Sequence, residues 1–156
     1  MIQIEIPGRS ACELEHLVLD LNGTVALDGE VIPGVAERVA ALSAHLTIHL
    51  VTADTRGQAE ELCKQLGARL ARIRPEYEAR QKAALVERLG VERVVAIGNG
   101  TNDAQMLSAA VLGIAVMGRE GLAVEAWRAA DLVVGRIEDA LDLLFHPQRL
   151  VATLRR

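Results

Sequence analysis

The stretch HLVLDLNGTVALDG, from His16 to Gly29, decides the fold. An aliphatic run leads directly into Asp20, and Gly23 and Thr24 follow three and four residues later. This pattern predicts a buried strand that presents a carboxylate at its tip and then turns tightly. Asn22 stands where a second carboxylate would serve acid–base chemistry, so the stretch also raises the question of whether Asp20 still reacts.

Length and composition indicate one globular domain over residues 1–156. A chain of this size buries roughly 70% of its unfolded surface in one core. Hydrophobic residues make up 51% of the chain and charged residues 24%, which is typical of a folded protein. The net charge of −4 and the presence of only three aromatic side chains argue against a nucleic-acid partner, because such binding needs a positive field or stacking rings.

The sequence also lacks the features of a membrane or secreted protein. No apolar run approaches the ~20 residues that a membrane helix needs, and acidic residues interrupt the N-terminus before a signal-peptide pattern can form. Cys12 and Cys63 show no metal-like spacing, and two isolated cysteines favour free thiols in a reducing compartment. We therefore expect a cytoplasmic protein with no membrane partner.

Short aliphatic runs alternate with amphipathic stretches, which is the pattern of βαβ units. The expected fold is α/β: a doubly wound, Rossmann-like parallel sheet with helices on both faces. The predicted strands, in chain order, are HLVLDL, LTIHLVTA, ARLARI, ERVVAIG, LGIAVMG and DLVV. The predicted helices are GVAERVAALSAH after Pro33, RGQAEELCKQL after a Thr55–Gln58 capping box, EYEARQKAALVERL after Pro75, NDAQMLSAA, GLAVEAWRAA, and the segment 137–156, which Pro147 breaks.

Two smaller features complete this organisation. Residues 1–6, MIQIEI, alternate between apolar and polar as an edge strand does. Residues 23–35 contain an Asp-Gly pair between short apolar runs, which predicts a small hairpin flap.

Polar side chains follow several of the predicted strands at the point where each strand ends. Asp20 ends the first strand, Thr52 and Asp54 end the second, and the loop Asn99–Asp103 ends the fourth, while Lys82 lies on the helix before it. Ligands of doubly wound sheets bind at this edge. Oxygen ligands suit Mg²⁺, and glycine-rich N–H donors with an ammonium group suit a phosphoryl group. Asp54 fits better as a cap for the next helix, and the four histidines show no spacing typical of a metal site or a catalytic triad.

The segments DLNGT, TAD, Lys82 and GNGTND, in this order, resemble the four motifs of the haloacid dehalogenase superfamily of phosphohydrolases. TAD and GNGTND are similar to motifs of P-type ATPase catalytic domains, and the whole chain resembles the small soluble relatives of those domains. The resemblance implies a Mg²⁺-dependent phosphatase with Asp20 as the nucleophile that takes the phosphoryl group.

The resemblance also implies roles for the other motif residues. Thr52 and Lys82 would bind the phosphate oxygens together with the turn at Gly23 and with Ala53. Thr24 would brace that turn, and Asn102 would hold the phosphate loop. The metal ligands would be the Asp20 carboxylate, the main-chain carbonyl of Asn22 and the side chain of Asn99, with Asp103 completing the site directly or through water.

Two positions depart from the family pattern because they carry amides. Many family members have an aspartate at the position of Asn22, which protonates the leaving group and then activates water. An amide does neither, so we expect slow turnover, with hydrolysis of the aspartyl-phosphate slowed most. Asn99 replaces an expected metal-binding aspartate, so metal affinity should be weaker. The alternative is a non-catalytic phosphate-binding or regulatory subunit on the same fold.

The chain has no room for the cap domain that many family members insert. The gaps from Thr24 to Thr52 and from Thr52 to Lys82 are too short to hold one. An open site admits a small phosphorylated substrate or a phosphoprotein, or it is covered by another subunit. MIQIEI and the tail RLVATLRR could form contacts of a homo-oligomer or could pack against their own domain.

Overall fold

The computed structural model describes residues 1–54 and 57–156 and is built around a six-stranded parallel sheet. Its strands are β3 (His16–Asp20), β6 (Thr47–Thr52), β7 (Arg69–Arg72), β8 (Val94–Gly98), β9 (Leu112–Val116) and β10 (Leu132–Val134). Their spatial order is β10-β9-β8-β3-β6-β7. The expected doubly wound parallel sheet is therefore confirmed.

The side chains of β3 explain why the sheet is covered on both faces. Leu17, Val18 and Leu19 are all fully buried, and alternate residues of a strand point to opposite faces. Leu17 and Leu19 belong to one hydrophobic cluster, and Val18 belongs to the other. Because both faces of the central strand are apolar, each must be covered by helices.

In the described part of the chain, four helices pack on the Leu17 face and three pack on the Val18 face. The first group is α1 (Val35–Leu42), α2 (Gln58–Leu66), α6 (Ile137–Phe145) and α7 (Pro147–Leu154). The second is α3 (Glu78–Leu89), α4 (Ala104–Ala109) and α5 (Val124–Ala129). No helix among residues 1–54 and 57–156 has the length and hydropathy needed to cross a membrane.

Several helices begin later than the sequence predicts. The helix after Pro33 begins at Val35 because Gly34 takes a left-handed conformation with φ +85°. The helix after Pro75 begins only at Glu78, and its N-cap residue Tyr77 is also left-handed, with φ +58°. The predicted Thr55–Gln58 capping box includes a residue outside those the structure describes, and α2 has Gly57 at its N-cap.

The N-terminal residues form a strand, as their alternating pattern predicts, but this strand lies outside the main sheet. Strand β1 (Ile2–Ile4) pairs antiparallel with β2 (Cys12–Leu14), which the sequence pattern did not predict, in a separate two-stranded sheet. The chain tail lies against this hairpin, where the Arg156 N–H donates to the Pro7 carbonyl at 3.1 Å. Arg9, in the loop of the hairpin, binds Asp131 at 2.8 Å.

A second hairpin follows the motif turn after β3. It consists of β4 (Ala26–Leu27) and β5 (Glu30–Val31). Asp28 and Gly29 both have positive φ, +52° and +83°, as a type I′ turn requires. Asp-Gly supplies this turn at low steric cost.

Candidate functional site

The candidate site lies at the carboxyl ends of the three central strands. Because β3 is flanked by β6 and β8, their last residues bring Asp20, Thr52 and the Asn99 loop to one edge. They surround a cleft of about 410 Å³. Its lining residues are Asp20, Asn22, Thr52, Ala53, Asp54, Glu78, Lys82, Asn99, Gly100, Asn102 and Glu120.

Lys82 ties the site together from α3. Its side chain is only 1% exposed, and its Nζ atom lies 2.7 Å from Asp20 Oδ1 and 2.7 Å from Asp103 Oδ1. Burial alone would lower the pKa of Lys82, but the two carboxylates outweigh it, so the pKa is raised. The group is therefore a fixed ammonium ion that donates to the oxygen atoms around it.

Asp20 carries a carboxyl group with a perturbed pKa. Burial, followed by the negative charge of Asp103, raises its pKa to about 6, while Lys82 and Thr24 act in the opposite direction. The carboxylate is therefore formed near neutral pH but takes up a proton on mild acidification. Strongly perturbed carboxyl groups in clefts are typical of reactive sites.

Thr24 stands between two oxygen acceptors. Its Oγ1 atom lies 3.0 Å from Asp20 Oδ2 and 3.0 Å from Asn99 Oδ1. A hydroxyl has one hydrogen, so it cannot fully satisfy both acceptors. The bracing role expected for Thr24 fits this geometry, and the surplus of oxygen acceptors suits a cation.

Asp103 holds the loop of the fourth motif and is fully buried. Its Oδ2 atom accepts the N–H groups of Asn99 at 3.0 Å and Gly100 at 2.9 Å, and its Oδ1 accepts Lys82. A Cβ added at Gly98 would lie 2.5 Å from the Asp103 Cγ, so only glycine allows this close packing. Both carboxylate oxygens therefore already have donors within the chain.

The turn after Asp20 is closed by its own backbone. The Leu21 carbonyl accepts the N–H groups of Val25 and Ala26, and the Gly23 N–H donates to the Ala26 carbonyl at 2.8 Å. The Gly23 N–H is therefore already paired within the turn, and the contribution of this residue to the turn is its left-handed φ of +80°. The Asn22 side chain is exposed at the cleft.

The second and fourth motifs contribute the remaining expected residues. Thr52 is 4% exposed, and its Oγ1 accepts the Asp54 N–H at 3.1 Å. Ala53 and Asp54 line the cleft beside it. Asn102 also lines the cleft, and its Nδ2 atom donates to Glu78 Oε2 at 2.6 Å.

Glu78 and Glu120 are cleft residues that sequence reasoning missed. Glu78 lies in the first turn of α3, where an acidic residue is an ordinary helix feature. Glu120 lies in the turn that follows β9, between two glycines in GREG. A charged side chain in a glycine-flanked loop after a parallel strand is the only signal that could have pointed to it.

The donor set of the cleft is compatible with a hard divalent cation. Asp20 and Asn99 offer side-chain oxygens on either side of Thr24, and the acidic lining residues outnumber the single ammonium of Lys82. Within the part of the chain that the structure describes, no three His, Cys, Asp or Glu side chains already form a metal-binding group. Such a site must therefore use amide and main-chain oxygens beside its carboxylates, which Mg²⁺ accepts.

Comparison with known proteins gives a consistent result. A family model described as haloacid dehalogenase-like hydrolase matches residues 5–110. An uncharacterised protein of Methanocaldococcus jannaschii is 48% identical over 64 residues, which cover 41% of this chain and 69% of that protein. Copper-transporting ATPase 1 of Rattus norvegicus is 33% identical over 92% of this chain, which spans only 9% of that transporter.

A solved structure shares the fold. The 3-deoxy-D-manno-octulosonate 8-phosphate phosphatase of Moraxella catarrhalis, solved with magnesium, phosphate and KDO, has a TM-score of 0.68. The match covers 89% of this chain and 90% of that one at 17% identity. At this level of identity the likeness extends to the fold alone.

Proposed function

Because the chain belongs to the haloacid dehalogenase-like hydrolase family, we propose that it is a slow, Mg²⁺-dependent phosphohydrolase or phosphotransferase that works through an aspartyl-phosphate at Asp20. The observation that carries the proposal is the buried ammonium of Lys82, 2.7 Å from both Asp20 and Asp103. A buried cation beside a carboxylate at the end of a central strand suits the transfer of a phosphoryl group.

In the first step a carboxylate oxygen of Asp20 bonds to phosphorus as the bond from phosphorus to the leaving oxygen breaks. Lys82 and the Thr52 hydroxyl hold phosphate oxygens, and the leaving oxygen takes its proton from water. In the second step water attacks phosphorus and loses a proton to solvent, the bond from phosphorus to the Asp20 oxygen breaks, and inorganic phosphate leaves with the Asp20 carboxylate restored. Asn22 can neither donate the first proton nor accept the second, which costs about 10²–10⁴-fold in rate.

The Mg²⁺ ion, when bound, offsets the negative charges that Asp20 and the phosphoryl group bring together. Its proposed ligands are the Asp20 carboxylate, the Asn22 main-chain carbonyl and the Asn99 side chain. We place Asp103 outside direct contact with the ion, since Lys82 and two main-chain N–H groups already occupy its oxygens.

The proposed substrate is a small phosphorylated molecule or a phosphoprotein, and the proposed compartment is the cytoplasm. The chain spans only a small share of the ATPases it resembles, so their transport activity is not assigned to it. The alternative function is phosphate binding without turnover. It is favoured by the two amides, Asn22 and Asn99, where the family pattern has carboxylates.

A rapid-mix assay with an aryl phosphate and Mg²⁺ tests the proposal. The wild type should give a burst of one aryl alcohol per site followed by slow turnover, because the phosphoenzyme forms faster than it hydrolyses. Asn22→Asp should raise the steady rate, by about 10²-fold or more if the restored acid is well placed. Asp20→Asn should be silent.

The matched control is Asp28→Asn, which removes one carboxylate from the exposed hairpin turn outside the cleft and should leave burst and turnover unchanged. Turnover that survives Asp20→Asn would contradict the proposal. A wild type that binds phosphate without any burst would establish the alternative.

A further inference from the structure

The short turn between Gly118 and Gly121 brings Glu120 into the cleft. The turn is closed by the Gly121 N–H, which donates to the Gly118 carbonyl at 3.0 Å. A Cβ added at Gly23 would overlap the Glu120 carboxylate, so this carboxylate lies directly against the backbone of the motif turn after Asp20. Neither the sequence motifs nor the proposed mechanism uses this residue.

Asn99 anchors the same turn. Its Nδ2 atom donates to the Gly121 carbonyl at 3.2 Å, and its main-chain carbonyl accepts the Ala123 N–H at 2.9 Å. The same Nδ2 lies 3.0 Å from the point where a Gly23 Cβ would be. The Asn99 amide and the Glu120 carboxylate therefore both lie close to Gly23.

An aspartate at position 99 could not make this arrangement. It has no hydrogen to donate to the Gly121 carbonyl, and its charge would repel the Glu120 carboxylate nearby. The roles of Asn99 and Glu120 are therefore complementary. The Asn99 amide holds the turn in place, and the turn positions the Glu120 carboxylate in the cleft. The negative charge missing from position 99 is present on the neighbouring loop.

Other cleft groups are less available for a cation. Glu78 accepts the Asn102 amide at 2.6 Å, and Asp103 has donors on both oxygens. The Glu120 side chain is exposed, so it can change rotamer at little cost. Carboxylate oxygens are the ligands that hard divalent cations prefer.

We propose that Glu120 supplies the divalent cation of this site with the carboxylate that Asn99 lacks, while Asn99 acts as the anchor of the turn that carries it. This inference rests on the proposed function, because it concerns the cation of the same site. In this inference the amide at position 99 contributes to cation binding indirectly, by holding the turn that carries Glu120.

Titration with Mn²⁺, followed by the electron paramagnetic resonance signal of the free ion, tests the inference without any substrate. Glu120→Gln should raise the Kd for Mn²⁺ about tenfold or more, since a charged ligand is lost. The matched control is Glu87→Gln, an exposed residue of α3 outside the cleft, which should leave the Kd unchanged. Thermal melting of each variant checks that it is folded.

The double variant Asn99→Asp/Glu120→Gln adds a second readout. It moves the negative charge from position 120 to position 99 and removes the repulsion, so it should recover most of the affinity that Glu120→Gln loses. A merely structural role of Glu120 would not predict this recovery.

A Glu120→Gln variant with the Mn²⁺ affinity of the wild type overturns the inference, and so does a wild type that binds no Mn²⁺. If the wild type still gives the phosphoenzyme burst in either case, the proposed function is retained although the inference about Glu120 fails. Weakened Mn²⁺ binding in Glu120→Gln together with turnover that survives Asp20→Asn would overturn the proposed function and support the inference.

Discussion

The buried carboxyl group of Asp20, the proposed nucleophile, is held at a cost to the stability of the fold. Its carboxyl group shares a single Thr24 hydrogen with Asn99 Oδ1, and burial raises its pKa to about 6. A protonated Asp20 could donate to Thr24, and Thr24 could then donate to Asn99. The ionised form leaves one acceptor without a hydrogen, so the charge that the proposed nucleophile needs also destabilises the folded chain in the absence of a cation.

We therefore expect Asp20→Asn to stabilise the metal-free protein at alkaline pH. The folded chain holds the Asp20 proton up to about pH 6, whereas an aspartate in an unfolded chain loses its proton near its ordinary pKa of 3.8. This group's stabilisation is therefore present below pH 3.8 and is lost as pH rises through 6. An asparagine amide can donate to Thr24 at any pH. In EDTA, urea denaturation should give a gain of about 2 kcal/mol at pH 8 and almost none at pH 4.

The exposed control Asp28→Asn should show no comparable difference between the two pH values. An Asp20→Asn variant that is no more stable than the wild type at pH 8 would show that the ionised Asp20 carboxylate does not destabilise the folded protein.

At the scale of elements, Lys82 joins α3 to the central strand β3 and to the loop after β8. The sequence order of the motifs predicted that these elements meet, because parallel strands end at one edge of the sheet. It could not predict that Lys82 would be almost fully buried, since the neighbouring polar residues Arg80 and Gln81 indicate a solvent-exposed face of the helix. Lys82 can be buried because the fold brings two carboxylates to its ammonium group.

We expect Lys82→Met to destabilise the protein by about 3–5 kcal/mol, although methionine fills a similar volume. The substitution leaves the Asp20 and Asp103 carboxylates buried and close together without their shared cation. The exposed Lys64 of α2 provides the control, and Lys64→Met should change the free energy of unfolding little. Equal melting temperatures of the two variants would show that the buried pair contributes no net stability.

Across the whole molecule, the parallel sheet, its helices and the edge of the sheet that carries the candidate site were predictable. Aliphatic runs mark the strands, and glycine-rich turns mark the strand ends, so both can be read from local sequence. The β1–β2 hairpin was missed because Cys12–Leu14 is only three residues long and has no periodicity of its own. Glu120 was missed because its position depends on a contact with Gly23 that no local pattern encodes. His16 and His49 lack regular spacing, yet adjacent strands bring their ring nitrogens to 3.3 Å.

The tail is part of the same core. Leu150 of α7 is fully buried among residues of the Leu17 face, so Leu150→Ala should cost about 2–5 kcal/mol. The exposed Gln148→Ala is the control. The urea midpoint of both variants should be independent of protein concentration, because the tail packs on its own chain. A midpoint that rises with concentration would instead place α7 in a contact between copies.

The exposure of Asn22 has an evolutionary consequence. Asp20, Lys82 and Asp103 are buried and mutually dependent, so they are costly to change, whereas the Asn22 side chain is exposed at the cleft. Asparagine and aspartate codons differ by one base. Under the proposed mechanism, a fast and a slow form of this protein are therefore neighbours in sequence space, separated by a step that leaves the fold almost untouched. Selection could then set the lifetime of the proposed phosphorylated state without rebuilding the site.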